Sequence, residues 1–264
     1  MLSSKSIITK KENGKILSFD EIDYIVNRYT SNKISDNIMG SWLKAVYNKG
    51  MDYNETLDYT KIMLNSGIKL DYSYLDGYVI DKHSTGGVGD KVSIVLAPIL
   101  AACGCYVPMI AGRSLEHTGG TIDKLETIPG YQTSLSIEKF TKIVESVGLS
   151  IMSQTKQICP SDKKIYSLRD MTNTVASLPL ICGSIMSKKI AEGIKGLVLD
   201  IKVGNGAFMK TLNDAKELGV LLNEVGHLYG LNMSICYTNM NQPLGNSAGL
   251  WCEIVESVKC LKGD

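Results

Sequence analysis

The chain has 264 residues, 44% of them hydrophobic, with 28 basic and 27 acidic residues and a formal net charge of +1. The length suits one large domain or two unequal ones, and the balanced charge gives no electrostatic footprint for nucleic acid or an anionic membrane. The seven cysteines show no CxxC spacing, the N-terminus lacks a signal-peptide core and no apolar run reaches spanning length, so the expectation is a soluble, reduced, cytoplasmic protein.

The first 67 residues read as helices joined by short turns. Ser18 with Glu21 forms a capping-box pattern ahead of Ile22, Ile25 and Val26. Ser35 and Asp36 open the next helix, which Gly50 closes, and Asn54 caps a third that ends near Gly67. Near Tyr78 the character changes. The short apolar run Tyr78 to Ile80 leads into Asp81, Lys82 and His83 and then a glycine-rich turn. A helix over about 90–102, a strand at Val107 to Ile110, a helix at Ser136 to Val147 and a buried strand at Leu197 to Val203 follow. A helix from about Asn213 to Tyr229, a strand from Asn232 to Thr238 and a helix around Glu253 to Leu261 complete the chain. The stretch 166–195 interrupts this pattern: Ser177 starts a helix with Ile181, Ile185, Met186 and Ile190 at helical spacing, which assigns it to the helical domain.

The fold class is therefore α/β plus an all-helical domain, with a mainly parallel sheet. The helical domain takes residues 1–67 and about 160–194, and the α/β domain about 68–159 and 195–264. Three polar glycine loops fall at carboxyl ends of strands, where ligands bind in such sheets, and a chain that crosses between domains predicts a ligand cleft there.

The run Lys82-His83-Ser84-Thr85-Gly86-Gly87-Val88-Gly89-Asp90 joins a cation, an imidazole, two hydroxyls and three glycines. Such a loop can turn its N–H groups toward an anion ahead of a helix N-terminus, which points to phosphate; the plainer alternative is a turn that binds nothing. It is neither a Walker A nor a GxGxxG motif. His83 fits an acid at neutral pH. His117 can simply fix its loop, and His227 suits a helix-end role. Thr118 to Thr121 repeats the small, hydroxyl-rich character of the first loop, while Arg113, Asp123, Lys124 and Glu126 read as a salt-bridged surface. Ser184 and Lys188, four apart, share a helix face and with Arg169 could meet the edge of a planar polar ring.

Lys82 to Asp90, His117 to Glu126 and Asp200-Ile201-Lys202-Val203-Gly204-Asn205-Gly206-Ala207-Phe208-Met209 resemble, in this order, signatures of the thymidine and pyrimidine nucleoside phosphorylases. The resemblance implies a pentosyltransferase of pyrimidine nucleoside salvage that splits a nucleoside with inorganic phosphate as co-substrate and needs no resident cofactor. It implies that Lys82, Ser84, Ser93 and Thr121 hold phosphate, that Arg169, Ser184 and Lys188 hold the pyrimidine, and that His83, Arg169 and Lys188 act in catalysis. It also implies a homodimer through the helical domain, and an α/β domain that is incomplete at Asp264.

The match departs in the second signature and at a potassium position. Ala111, Ser114 and Glu116 stand where the family pattern has serine, glycine and glycine, which implies weaker phosphate binding. Positions matching a potassium site are Gly89, Lys91, Leu244, Ser247 and Glu256, but potassium-binding relatives carry threonine in place of Lys91; its ammonium could replace the ion and pair with Glu256. Met109 resembles thymidine phosphorylases rather than uridine-accepting relatives. Two alternatives are a phosphoribosyltransferase, which should show acidic metal clusters, and a remnant that binds phosphate or nucleoside, or only dimerises.

Overall fold

The computed structural model describes residues 2–114 and 119–264; His117, Glu116 and Thr118 lie outside the described residues. In chain order the elements are α1 (Ser4–Glu12), α2 (Phe19–Thr30), α3 (Asp36–Lys49), α4 (Tyr53–Asn65), β1 (Ile80–Ser84), α5 (Val92–Ala102), β2 (Val107–Ala111) and α6 (Thr121–Leu125). They continue with α7 (Ile137–Val147), β3 (Leu149–Ser153), α8 (Pro160–Met171), α9 (Leu178–Ala191), β4 (Gly196–Val203), α10 (Leu212–Leu228), β5 (Asn232–Asn239) and α11 (Leu250–Lys262). Two compact units form: the chain up to Lys69 with Thr155–Ala191, and Leu70–Gln154 with Glu192–Asp264. No helix among the described residues is long and apolar enough to cross a membrane.

The first unit is a helical bundle of α1–α4, α8 and α9. The Ser18–Glu21 box caps α2 as its pattern predicts. The cap of α4 is Asp52 rather than Asn54: its carboxylate accepts from Glu55 N–H at 2.8 Å, and the Glu55 side chain accepts from Asp52 N–H at 2.9 Å. Two reciprocal bonds outweigh what a single asparagine offers two residues later. Trp42, Tyr59, Ile25 and Met63 fill the core, the Trp42 and Tyr59 rings lying 5.9 Å apart. Gly183 lets α9 approach α4, because a Cβ there would come within 2.4 Å of the Tyr59 ring.

The second unit is a parallel α/β layer, as its alternating pattern predicts. β1, β4 and β5 form one parallel sheet in the order β1-β4-β5, and β2 pairs with β3. A parallel bridge from Val79 to Tyr106 links the approaches to β1 and β2. β1 lies later than the apolar run suggests, so Lys82, His83 and Ser84 are strand residues; the ladder to Gly196–Asp200 holds them extended whatever their polarity. The strand β3 escapes the sequence reading because it follows α7 after a single glycine, Gly148 in the left-handed region at φ 80°.

Candidate active site

In the second unit, strand alternation puts Lys82 and Ser84 on one face of β1 and Asp200 and Lys202 on one face of β4, with Ser84 in register with Asp200. The result is one polar cluster at the strand tips. Lys82 Nζ donates to Ser93 Oγ at 3.2 Å and lies 3.6 Å from Asp200 Oδ2. Lys202 Nζ is 2.7 Å from the same oxygen and 3.7 Å from Asp90 Oδ1. Ser84 Oγ donates to Asp90 Oδ2 at 2.5 Å and accepts from Gly86 N–H at 3.1 Å. Burial disfavours a charged Asp90, yet the Lys82 and Lys202 ammoniums win and hold its carboxyl below the usual range. Burial pulls Lys82 below the usual ammonium range, with Asp90 and Asp200 opposing.

The glycine loops at the ends of β1 and β4 are stitched together. Val88 N–H donates to the Gly206 carbonyl at 3.0 Å, and Lys202 N–H donates to Thr85 Oγ1 at 2.9 Å. Gly89 adopts φ +77°, and a Cβ there would also meet Pro243 at 2.5 Å, so glycine is required twice over. Thus Lys82, Ser84 and Ser93 are brought together. Thr121, half-buried, heads α6 after the neighbouring strand. That helix is tied to the first loop by Lys124, whose Nζ donates to the Asp90 carbonyl at 2.5 Å and pairs with Glu253 at 2.6 Å.

Lys124 therefore departs from the salt-bridged surface expected of it. It is fully buried, because α11 packs over α6 and carries Glu253 to it. Arg113, Asp123 and Glu126 do form the expected surface set, with Arg113 donating to Glu126 twice at 2.7 Å and to Asp123 at 2.9 Å. His83 is half-buried and takes the opposite face of β1 from Lys82 and Ser84. His227 is exposed in the last turn of α10. Met109 is a core residue of β2, packed with Val107 and Ile151.

Lys91 caps α5, and its Nζ donates to the Leu244 carbonyl, to the Ser247 carbonyl at 2.7 Å and to Glu256 Oε2 at 2.8 Å. Glu256 also accepts from Asn246 N–H at 2.6 Å and Ser247 N–H at 3.0 Å. The Lys91 bond and these amides hold its carboxyl at about 2. These oxygens are the ones the family resemblance assigns to potassium. As arranged they do not fit the ion, since an ammonium already satisfies them.

In the helical unit, Arg169, Ser184 and Lys188 are all buried. Lys188 Nζ donates to Ser184 Oγ at 2.9 Å, to the Ser184 carbonyl and to Asp162 Oδ2 at 2.5 Å. Arg169 Nη1 donates to the Leu180 carbonyl at 3.0 Å and Nη2 to the Val175 carbonyl at 2.6 Å. Burial pulls Arg169 below the usual guanidinium range, with Tyr59 and Asp162 opposing. Arg169 thus ties α8 to the connection after it and to the first turn of α9, a role its type and position do not announce. Sequence reasoning passed over Asp90, Asp200, Lys202 and Asp162. For Asp162 a signal exists: it stands seven residues before Arg169, on the same face of α8.

A helical bundle and a parallel α/β layer, the latter with hydroxyls, cations and glycine loops at its strand tips, define a two-domain α/β class. Residues 5–67 match the model described as glycosyl transferase family, helical bundle domain, and residues 76–263 match glycosyl transferase family, a/b domain. The chain belongs to this glycosyl transferase family. It is 49% identical to the thymidine phosphorylase of Colwellia psychrerythraea over 98% of its own length and 59% of that protein. It is 46% identical to a pyrimidine-nucleoside phosphorylase of Staphylococcus epidermidis over 98% of its own length and 60% of that protein. The chain thus spans about three-fifths of the length of these relatives. The anthranilate phosphoribosyltransferase of Thermus thermophilus shares the fold, with a TM-score of 0.68 at 16% identity over 90% of this chain and 67% of that one.

Proposed function

We propose that the chain serves the phosphorolysis of thymidine or a related pyrimidine nucleoside. An oxygen of inorganic phosphate attacks C1′ of the sugar, the C1′–N1 bond breaks with its electron pair on the pyrimidine, and free base and sugar 1-phosphate result. Lys82, Ser84, Ser93 and Thr121 hold phosphate. Arg169, Ser184 and Lys188 hold the base, and His83 assists its departure with a hydrogen bond. Phosphate is a co-substrate, and neither a resident cofactor nor potassium takes part.

Two buried cations of the helical unit carry this reading. Arg169 and Lys188 both interact with the buried carboxylate of Asp162. Their positive charge suits a base that leaves as an anion, and a site with little water strengthens the attraction. The similarity to a thymidine phosphorylase and a pyrimidine-nucleoside phosphorylase supports the substrate class. Thymine release from thymidine, followed with and without phosphate, decides the matter: phosphate-dependent release supports the reading, and release that ignores phosphate sinks it.

A second reading, a chain that binds nucleoside and phosphate without turnover, is favoured by one observation. The tip of β2 ends in Ala111, whose methyl group offers no hydroxyl to an anion. Binding of both compounds without thymine release would select it. The proposal extends to a homodimer paired through the helical unit, supported by the exposed Ile38 and Tyr47 of α3 and checked by sedimentation velocity.

A further inference from the structure

Asp162 belongs to none of the contacts assigned so far to phosphate or base. It lies in the first turn of α8 and is 1% exposed. Its Oδ2 accepts from Lys188 Nζ at 2.5 Å, while its Oδ1 is buried without a hydrogen-bond partner. The three protons of the Lys188 ammonium are met by Asp162 Oδ2, Ser184 Oγ and the Ser184 carbonyl. A lysine is normally a flexible stem carrying a mobile charge, and here three acceptors from two helices fix its direction. Burying both charges carries a desolvation cost that the pair's own attraction can fail to recover. A pair that adds little to stability but defines where a cation points is better understood as a placement device.

We infer that Asp162 is a positioning residue for the pyrimidine half-site: it fixes the direction of the Lys188 side chain inside the bundle and aims it at the edge of the base. This rests on the reading of Lys188 as a pyrimidine contact. The carboxylate touches no substrate atom and acts chiefly through Lys188, the cation it hydrogen-bonds, its attraction to Arg169 being without a hydrogen bond. Its free Oδ1 leaves the aspartate able to keep the ammonium engaged when one Ser184 acceptor yields to a ring carbonyl.

The test is a double-mutant cycle on the 264-residue chain, read by calorimetric binding of thymidine without phosphate and, separately, of inorganic phosphate. Asp162→Asn is expected to weaken thymidine binding about tenfold, the loss of one charge-assisted interaction. Lys188→Met should weaken it at least as much, and the double variant should be no weaker than Lys188→Met alone. Phosphate affinity should stay within about twofold throughout, because its ligands belong to the other unit and sites that share no partner behave independently. Should Asp162→Asn fail to fold, Asp162→Ser replaces it in the cycle with the same expectations. Unchanged thymidine affinity in the Asp162 variant, losses that add in full, or a parallel fall in phosphate affinity would each overturn the inference. If the unaltered chain binds phosphate but not thymidine, the pyrimidine reading itself falls and takes this role of Asp162 with it.

Discussion

The ammonium of Lys91 lies 2.8 Å from the carboxylate of Glu256, joining the head of α5 to α11 across 165 positions of chain. The same ammonium gathers the carbonyls of Leu244 and Ser247, so one side chain organises the whole turn that precedes α11. A covalently attached cation thus occupies this place.

Exchanging sodium for potassium chloride is therefore expected to leave the unfolding temperature unchanged. Lys91→Thr should lower it by several degrees, with part of the loss regained in potassium chloride. Differential scanning calorimetry in the two salts checks both statements; a potassium-stabilised unaltered chain would contradict the first.

Glu256 predicts a pH signature. Its folded-state carboxyl sits at about 2, below the ordinary 4.5, so its contribution to stability is complete above about 4.5 and lost as pH falls toward 2. The difference in unfolding temperature between the unaltered chain and Glu256→Gln should be largest above about pH 5 and should shrink steadily toward pH 2. A difference that does not vary with pH would show that the carboxylate charge is not what holds the turn.

Phosphate affinity should respond in opposite directions to two substitutions. Lys82→Met removes a buried charge and is expected to weaken binding about tenfold or more. Ala111→Ser adds a hydroxyl at the tip of β2 and should tighten binding by roughly two- to tenfold, the worth of one hydrogen bond. Phosphate titration by calorimetry measures both.

Arg169 has a structural task apart from any contact with a base. Arg169→Met leaves the carbonyls of Val175 and Leu180 without their donor, and is expected to cost about 2–4 kcal/mol. Urea unfolding should show a lower midpoint with an unchanged slope, as befits a local loss. A variant as stable as the original would mean that the segment between α8 and α9 holds itself.

Much of this was legible locally. The Ser18–Glu21 cap, the helical face shared by Ser184 and Lys188, and the loop from Lys82 to Asp90 all depend on spacing within about one or two turns or one strand end, where neighbours in sequence are neighbours in space. The alternation of strands and helices was likewise enough for a parallel sheet. Boundaries were less legible. Asp52 displaced Asn54 as a cap through a reciprocal bond, and β1 reached through Ser84 because β4 lay beside it.

By itself, then, the order of residues determined the two kinds of domain, the glycine loops and which hydroxyls and cations could serve an anion or a base. Only the tertiary structure decided what those side chains contact: Lys124 buried against Glu253, Lys91 seated on Glu256, Arg169 engaged by Val175 and Leu180, and Lys188 paired with Asp162. The physical reason is distance along the chain. A buried charge must find a partner, and which carboxylate reaches it, whether 26 or 165 positions away, depends on how helices and strands pack rather than on any local pattern.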